Sequence, residues 1–258
     1  MKENATSDEE IWRGKSTVEE IRARFDHEVE RFSHLETGQQ ATVDAPLALE
    51  LVAQAAATHL RPGDSLLDLG CGAGNFTLRV LQEVSPLQCH LVDLSGPMLN
   101  RACGRLEAAG VTKARFYQTD MRTLELEECS IDTILAAATL HHLRDKADWT
   151  QMFGKMHRWL KPGGRLYVWD LAIFDEPRMQ DLMWGRYGQY LNSLGGPNYR
   201  DKVFAYIARE DSPRSLPFQL ELLRRVGFAN YDVLHRTQVF ACYYGGKANR
   251  NLKKKKPA

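Results

Sequence analysis

Three glycines at alternate positions, Gly70, Gly72 and Gly74, join an apolar run to a helical pattern in LLDLGCGAGNFT, residues 66–77. Glycines permit the tight turn and let a ligand approach the backbone closely, and Asp68 stands two residues before the first of them. The spacing G-x-G-x-G is not the G-x-G-x-x-G of nicotinamide-binding turns, which puts a nicotinamide oxidoreductase last among the readings. Asp93 closes the next apolar run, 23 residues past Gly70, where a carboxylate accepts hydrogen bonds from both hydroxyls of an unphosphorylated ribose. Asp120 ends a third run with Met121 beside it, placed to read an adenine amino group while the methionine packs on the ring. His141 and His142 follow a fourth run, at the sheet edge where ligands bind in α/β folds, and a neutral imidazole there can accept a proton.

These residues need elements to hold them. Ser16, Thr17, Glu19 and Glu20 supply a capping box, and Val18, Ile21, Phe25, Val29 and Phe32 at helical spacing predict one amphipathic helix over 17–33. A second helix begins at Asp44 and Pro46 and ends before Arg61, Pro62 and Gly63. Apolar runs at 65–70, 89–95, 114–120 and 131–138 then alternate with helical patterns at 75–84 and 97–110. A helix over 147–160 precedes Lys161–Gly164 and a strand over 165–174. Such alternation builds a parallel sheet covered on both faces. Residues 175–214 interrupt it with an aromatic, polar stretch divided by Gly195, Gly196 and Pro197, which reads as an inserted helical cap. Ser215 starts a last helix ending at Gly227, and the segments 230–237 and 238–246 form a hairpin, so the sheet ends in an antiparallel edge.

Composition excludes several classes. The chain has 258 residues, 43% hydrophobic and 26% charged, which suits one α/β domain with an elaboration. Its longest apolar run is far below the ~20 residues of a membrane span. The polar, acidic start predicts no secretory signal, and a cytoplasmic location is expected. Residues 1–246 carry 28 basic against 33 acidic groups, so the body is no basic platform, whereas 247–258 is lysine-rich and is expected to be a solvated, disordered tail that could attract nucleic acid. Five cysteines form no C-x-x-C pair and predict neither disulfides nor a metal site.

At the glycine turn and the four strand ends the chain resembles the class I S-adenosylmethionine-dependent methyltransferases. The family's glycine motif matches DLGCGAGNFT, its ribose acid Asp93 in LVDLS, and its adenine-side acid Asp120 in QTDM. Its fourth strand matches ILAAATLHHL and its helix-turn-strand WLKPGGRLYVWD. The resemblance covers about residues 45–174 closely and 215–246 in outline, and it is weakest in 1–44 and 175–214, where the family varies to fit its substrate. It implies a doubly wound, seven-stranded, mostly parallel sheet with an antiparallel last strand, and a cofactor site drawn from Asp68, Gly70, Cys71, Gly72, Gly74, Asn75, Asp93, Leu94, Met98, Asp120, Met121 and Ala137. Leu94 and Met98 are equally readable as core, and Cys71 as a small apolar filler.

The domain reading is therefore a start and lid helix over 1–44, a methyltransferase domain over 45–246 with its cap at 175–214, and the tail. In-line transfer of an activated methyl mainly demands orientation, so a base is optional; where the acceptor is a hydroxyl, phenol or protonated amine, His141 and His142 are the candidates. Within the cap, Trp184, Tyr187, Tyr199, Arg200 and Arg209 suit a planar or anionic acceptor. Methylation of a small molecule is the leading reading; an RNA or tRNA modifier and a non-catalytic cofactor-binding protein are the alternatives. Oligomeric state is not legible.

Overall fold

The computed structural model describes residues 14–34 and 39–249, so the first thirteen residues and most of the lysine tail, expected to be disordered, lie outside the described residues. The chain opens with α1 (Val18–His27) and α2 (Val29–Ser33), followed by α3 (Ala45–Ala57). Then come β1 (Ser65–Leu69), α4 (Asn75–Glu83), β2 (Gln88–Asp93), α5 (Gly96–Ala108), β3 (Ala114–Gln118) and β4 (Ile131–Ala137). After a 3-10 turn at Leu140–His142 follow α6 (Lys146–Trp159), β5 (Leu160–Leu171), α7 (Pro177–Glu210), α8 (Leu216–Val226), β6 (Phe228–Thr237) and β7 (Phe240–Lys247). The strands form one sheet in the order β3-β2-β1-β4-β5-β7-β6. The five first strands are parallel, and β7 runs antiparallel to both neighbours.

Period-two alternation sorts the core. Leu67, Leu69, Ile134, Ala136, Leu166 and Val168 pack against Trp149, Met152, Phe153 and Met156 of α6 and Leu222 and Leu223 of α8. The intervening Leu66, Leu135, Tyr167 and Trp169 pack against α3, α4 and α5 through residues such as Val52, Phe76, Val80 and Leu99. Every one of these strands is buried on both faces, which is why the sequence shows them as continuous apolar runs.

Three sequence expectations are corrected. The helix over 17–33 is two helices, because Glu28 takes φ −105° and ψ 14° between them. The Thr17–Glu20 capping box is present at its start. Next, β5 begins at Leu160, not Arg165, with Lys161–Gly164 as an irregularity in its pairing to β4. A Cβ on Gly164 would lie 2.9 Å from the Asp132 carbonyl oxygen, so only glycine fits that close approach. Finally, β5 stops at Leu171 and not at residue 174.

The stretch between β5 and α8 is helical and breaks at Gly195 and Gly196, the latter at φ +75°. Its two halves fold back on each other, with Trp184 stacked on Phe204 at 4.9 Å between centroids. Tyr187, Leu191, Val203 and Ile207 form a third apolar cluster with Leu171 of β5, Phe240 of β7 and Ala41. That cluster roofs the carboxyl ends of the parallel strands, the edge where ligands bind in such folds.

Candidate active site

The glycine turn is built for close approach. Gly70, Gly72 and Gly74 have φ of +65°, +51° and +82°, a region that costs other residues about 1–2 kcal/mol each. Gly70 abuts the segment after β4, since a Cβ there would lie 2.2 Å from Thr139 Oγ1. At Gly72 a Cβ would meet nothing within 4 Å, and the residue lines the cavity. The Gly72 N–H donates to Asp93 Oδ2 at 2.8 Å, and Asp93 Oδ1 accepts the Ser95 N–H at 2.9 Å. One carboxylate thus joins the turn to the start of α5, where Ser95 caps Met98 N–H. Burial pushes the Asp93 carboxyl up. Asp68 is buried beneath the turn, accepts the Thr77 hydroxyl at 2.7 Å, and is pushed up by burial to about 7.

At the end of β3, Asp120 receives the Arg122 guanidinium on both oxygens, at 3.0 and 2.6 Å to Oδ2 and 3.1 Å to Oδ1. Burial alone would raise its carboxyl, but the hydrogen bonds from Arg122 outweigh that and hold it below the usual range. Asp120 therefore faces the cavity already ion-paired.

The histidines sit where β4, β5 and the end of α7 meet. Asp170, at the end of β5, accepts backbone N–H groups from Thr139, Leu140 and His141 on Oδ2, at 3.2, 2.6 and 3.3 Å. Its Oδ1 accepts from His141 Nδ1. On the other side, Asp211 Oδ1 lies 3.7 Å from His141 Nε2 and 3.4 Å from His142 Nδ1. Burial would lower His141, yet the charges of Asp170 and Asp211 win and lift it to about 9. His142 goes the opposite way: burial and the neighbouring His141 and Arg24 push it well down. Burial raises Asp211 to about 6. The backbone closes the arrangement, with Ser212 N–H donating to the His141 carbonyl at 2.6 Å.

One cavity collects most of the residues named from the sequence. Asp68, Gly70, Cys71, Gly72, Asn75, Asp93, Leu94, Met98, Asp120, Met121, Ala137, His141, His142 and Tyr187 line it. Gly74 does not, because it packs toward Ala102 and Leu106. Of the other cap residues, Trp184 is stacked on Phe204, Arg200 pairs with Asp201, Tyr199 lies against Gly195, and the carbonyl of exposed Arg209 accepts the Ser16 N–H just before α1. None of these four reaches the cavity wall. Instead Phe25, Phe32, Tyr206, Ile207 and Phe240 complete its far end. The arginines there are spoken for: Arg24 forks onto Glu210 and Glu28, Arg31 pairs with Glu28, and Arg144 donates to the Glu210 and Ser16 carbonyls. Sequence reading missed Asp170 and Asp211 as site residues. Asp170 had a signal, an acid closing the apolar run YVWD beside the histidine strand; Asp211 had none.

Asp93, the open glycine at 72 and the apolar Leu94 and Met98 fit an adenosyl ligand, since they offer a ribose acceptor, a place for backbone approach and a surface for a ring. A family profile described as a methyltransferase domain matches residues 66–164. The ubiquinone/menaquinone biosynthesis C-methyltransferase UbiE of Legionella pneumophila is 34% identical over 177 residues, 66% of this chain and 69% of that one. Phosphoethanolamine N-methyltransferase 2 of Caenorhabditis elegans is 25% identical over 182 residues, 70% of this chain and 36% of that one. This chain also covers only 41% of an uncharacterised transposon protein of Streptomyces fradiae that is 35% identical, so it spans about two fifths of those two relatives. Among solved structures, the [4+2]-cyclase SpnF shares the fold at a TM-score of 0.63 and 16% identity, over 91% of this chain and 97% of that one. With the sheet order, the glycine turn and these likenesses together, the chain belongs to the class I S-adenosylmethionine-dependent methyltransferases.

Proposed function

We propose that this protein methylates a hydroxyl group on a small, largely apolar, aromatic acceptor. The observation that carries the reading is the cluster of His141, His142 and Asp211, set in the wall of an apolar cavity continuous with the glycine turn. Bound S-adenosylmethionine supplies a methyl group already activated by its sulfonium, whose sulfur keeps the bonding pair on transfer. The chain's own work is orientation, water exclusion and proton removal. Asp93 and the glycine turn hold the adenosyl end. Phe25, Phe32, Tyr206 and Phe240 surround the acceptor, and Thr139, between Gly70 and His141 in space and sequence, brings the two halves of the site together.

The hydroxyl donates to the cluster, and its proton passes there as the oxygen is methylated. Because no cavity arginine is left unpaired by the contacts above, an anionic acceptor such as a phosphate ester is disfavoured. A related protein is named a quinone C-methyltransferase, and ionising a phenol activates a ring carbon as well as the oxygen, so carbon methylation of the same acceptor class is the second reading.

The test is a labelled-methyl screen of the purified chain against hydroxylated aromatics, phosphoethanolamine and tRNA. Label on a hydroxyl of an aromatic acceptor is expected. Label confined to tRNA or to phosphoethanolamine would overturn the assignment, as would S-adenosylhomocysteine binding without transfer to any acceptor.

A further inference from the structure

Three atoms of metal-ligating type, His141 Nε2, His142 Nδ1 and Asp211 Oδ1, converge in the cavity wall. The His142 Nδ1 has no hydrogen-bond partner among the described residues. In the neutral ring whose Nε2 carries the proton, Nδ1 presents a lone pair. It faces Asp211 Oδ1 at 3.4 Å, itself without a hydrogen-bond partner there. His141 is turned so that Nδ1 meets Asp170, which leaves Nε2 directed at the same Asp211 oxygen, 3.7 Å away. The three atoms lie within 4.8 Å of one another, and Asp211 is only 5% exposed.

Buried acceptors left unsatisfied cost about 1–3 kcal/mol each. The proton that Asp170 and Asp211 favour on His141 lies between Nε2 and Asp211 Oδ1 and leaves His142 Nδ1 unsatisfied, so a cation must displace it. A divalent cation satisfies all three. First-row ions take imidazole nitrogen at about 2.0–2.1 Å and carboxylate oxygen at about 2.0–2.2 Å in tetrahedral sites, which sets donors roughly 3.4 Å apart. The two separations from Asp211 Oδ1, 3.4 and 3.7 Å, need a closure of a few tenths of an ångström, and the three residues' ligand atoms lie within 4.8 Å of one another. Behind His141 stands Asp170, the carboxylate–histidine pairing that fixes the tautomer and ring orientation of a metal-bound imidazole.

We infer that His141 Nε2, His142 Nδ1 and Asp211 Oδ1 form a binding site for a first-row divalent cation of the Zn2+ or Co2+ type, with its remaining coordination position open to the cavity. Two imidazoles and one carboxylate select such ions over Mg2+ and Ca2+, which prefer all-oxygen shells. The site uses none of the five cysteines, so cysteine spacing gave no hint of it. Its bearing on catalysis rests on the proposed hydroxyl acceptor: an ion there would take the place of the cluster as proton acceptor, acidifying a bound hydroxyl so that its proton is given up to water before transfer.

The experiment titrates the full chain, stripped with chelator, with Co2+ and follows its visible ligand-field band, with Zn2+ as competitor. One equivalent of Co2+, displaced by Zn2+, is expected. Asp211→Asn and His142→Gln should each weaken binding at least about 100-fold, beyond the 10–100-fold typical of outer partners, while Glu221→Gln, an exposed acid paired with Arg224 and Arg225, should not change it. S-adenosylhomocysteine calorimetry on every variant reports that the fold is intact. No band in a wild-type chain that binds S-adenosylhomocysteine overturns the site, as does a band that survives both variants. Stripped protein that methylates an acceptor with no Co2+ band overturns the site and leaves the proposed function standing. A one-equivalent band without turnover establishes the site and removes that function.

Discussion

Asp170 grips His141 twice, through the ring Nδ1 and through the backbone N–H, and with the same carboxylate also ties down Thr139 and Leu140. Ring orientation and turn conformation are thus set by one buried side chain. Asp170→Asn presents an amide N–H where a ring N–H or a backbone N–H now donates. Transfer should fall by about 10²–10⁴, the usual worth of positioned acid–base catalysis, with S-adenosylhomocysteine affinity unchanged within error. Initial rates on the acceptor found by the methyl screen, beside calorimetry, check this; equal losses in both would mean that Asp170 only holds the fold.

Asp93 is the cofactor's polar anchor in the proposed site. Asp93→Ala removes the ribose acceptor together with the bond to Gly72 N–H. Loss of a charge-assisted pair of hydrogen bonds is worth roughly 1.5–3 kcal/mol per bond, so binding of S-adenosylmethionine should fall at least about 100-fold. Unaltered affinity in a folded variant would refute the ribose role.

Gly70 and Gly72 separate stability from binding. An alanine Cβ at 70 would meet Thr139 Oγ1 at 2.2 Å, while at 72 it meets nothing within 4 Å. Gly70→Ala should cost about 2–4 kcal/mol of stability, from overpacking and left-handed strain together. Gly72→Ala should cost only about 1–2 kcal/mol and weaken adenosyl binding, because the methyl occupies cavity space. Denaturant unfolding and calorimetry on both variants decide it; equal stabilities would show that the turn relaxes freely away from Thr139.

Asp68 gives a pH signature. In the unfolded chain it ionises near the usual 3.8, whereas burial in the fold delays this to about 7. Between those values the native state holds a proton that the unfolded chain has lost. The stabilisation from this group is full below about pH 4 and is lost as pH rises toward 7. Asp68→Asn keeps an acceptor for Thr77 and removes the titration, so its stability relative to wild type should increase from pH 4 to 7 and level off above. Parallel stability curves for the two proteins over that range would show that Asp68 ionises normally.

The alternation of strands and helices, the glycine turn and the break at Gly195 and Gly196 were legible because each has a local cause: two-face burial writes continuous apolar runs, and positive φ demands glycine. The split at Glu28 was not, since both halves keep helical apolar spacing across it. Most residues expected to hold the cofactor do line one cavity, because they follow strand ends in order. The acceptor half was legible only in part. Aromatic composition marked residues 175–214, but it could not say that Trp184 would stack on Phe204 while Tyr206 faced the cavity. Asp211 was invisible because its role depends on where a 34-residue kinked helix comes to an end.

That ending has an engineering consequence. The helix pair that shapes the acceptor wall also delivers Asp211 to the histidines and Ser212 to the His141 carbonyl. Under the proposed function, recognition and chemistry are therefore not separable modules in this chain. A chimaera that exchanges the helical insertion to change acceptor preference will lose turnover together with its old specificity unless the graft rejoins the host before Asp211, so the crossover point, more than the graft's sequence, decides whether the hybrid works.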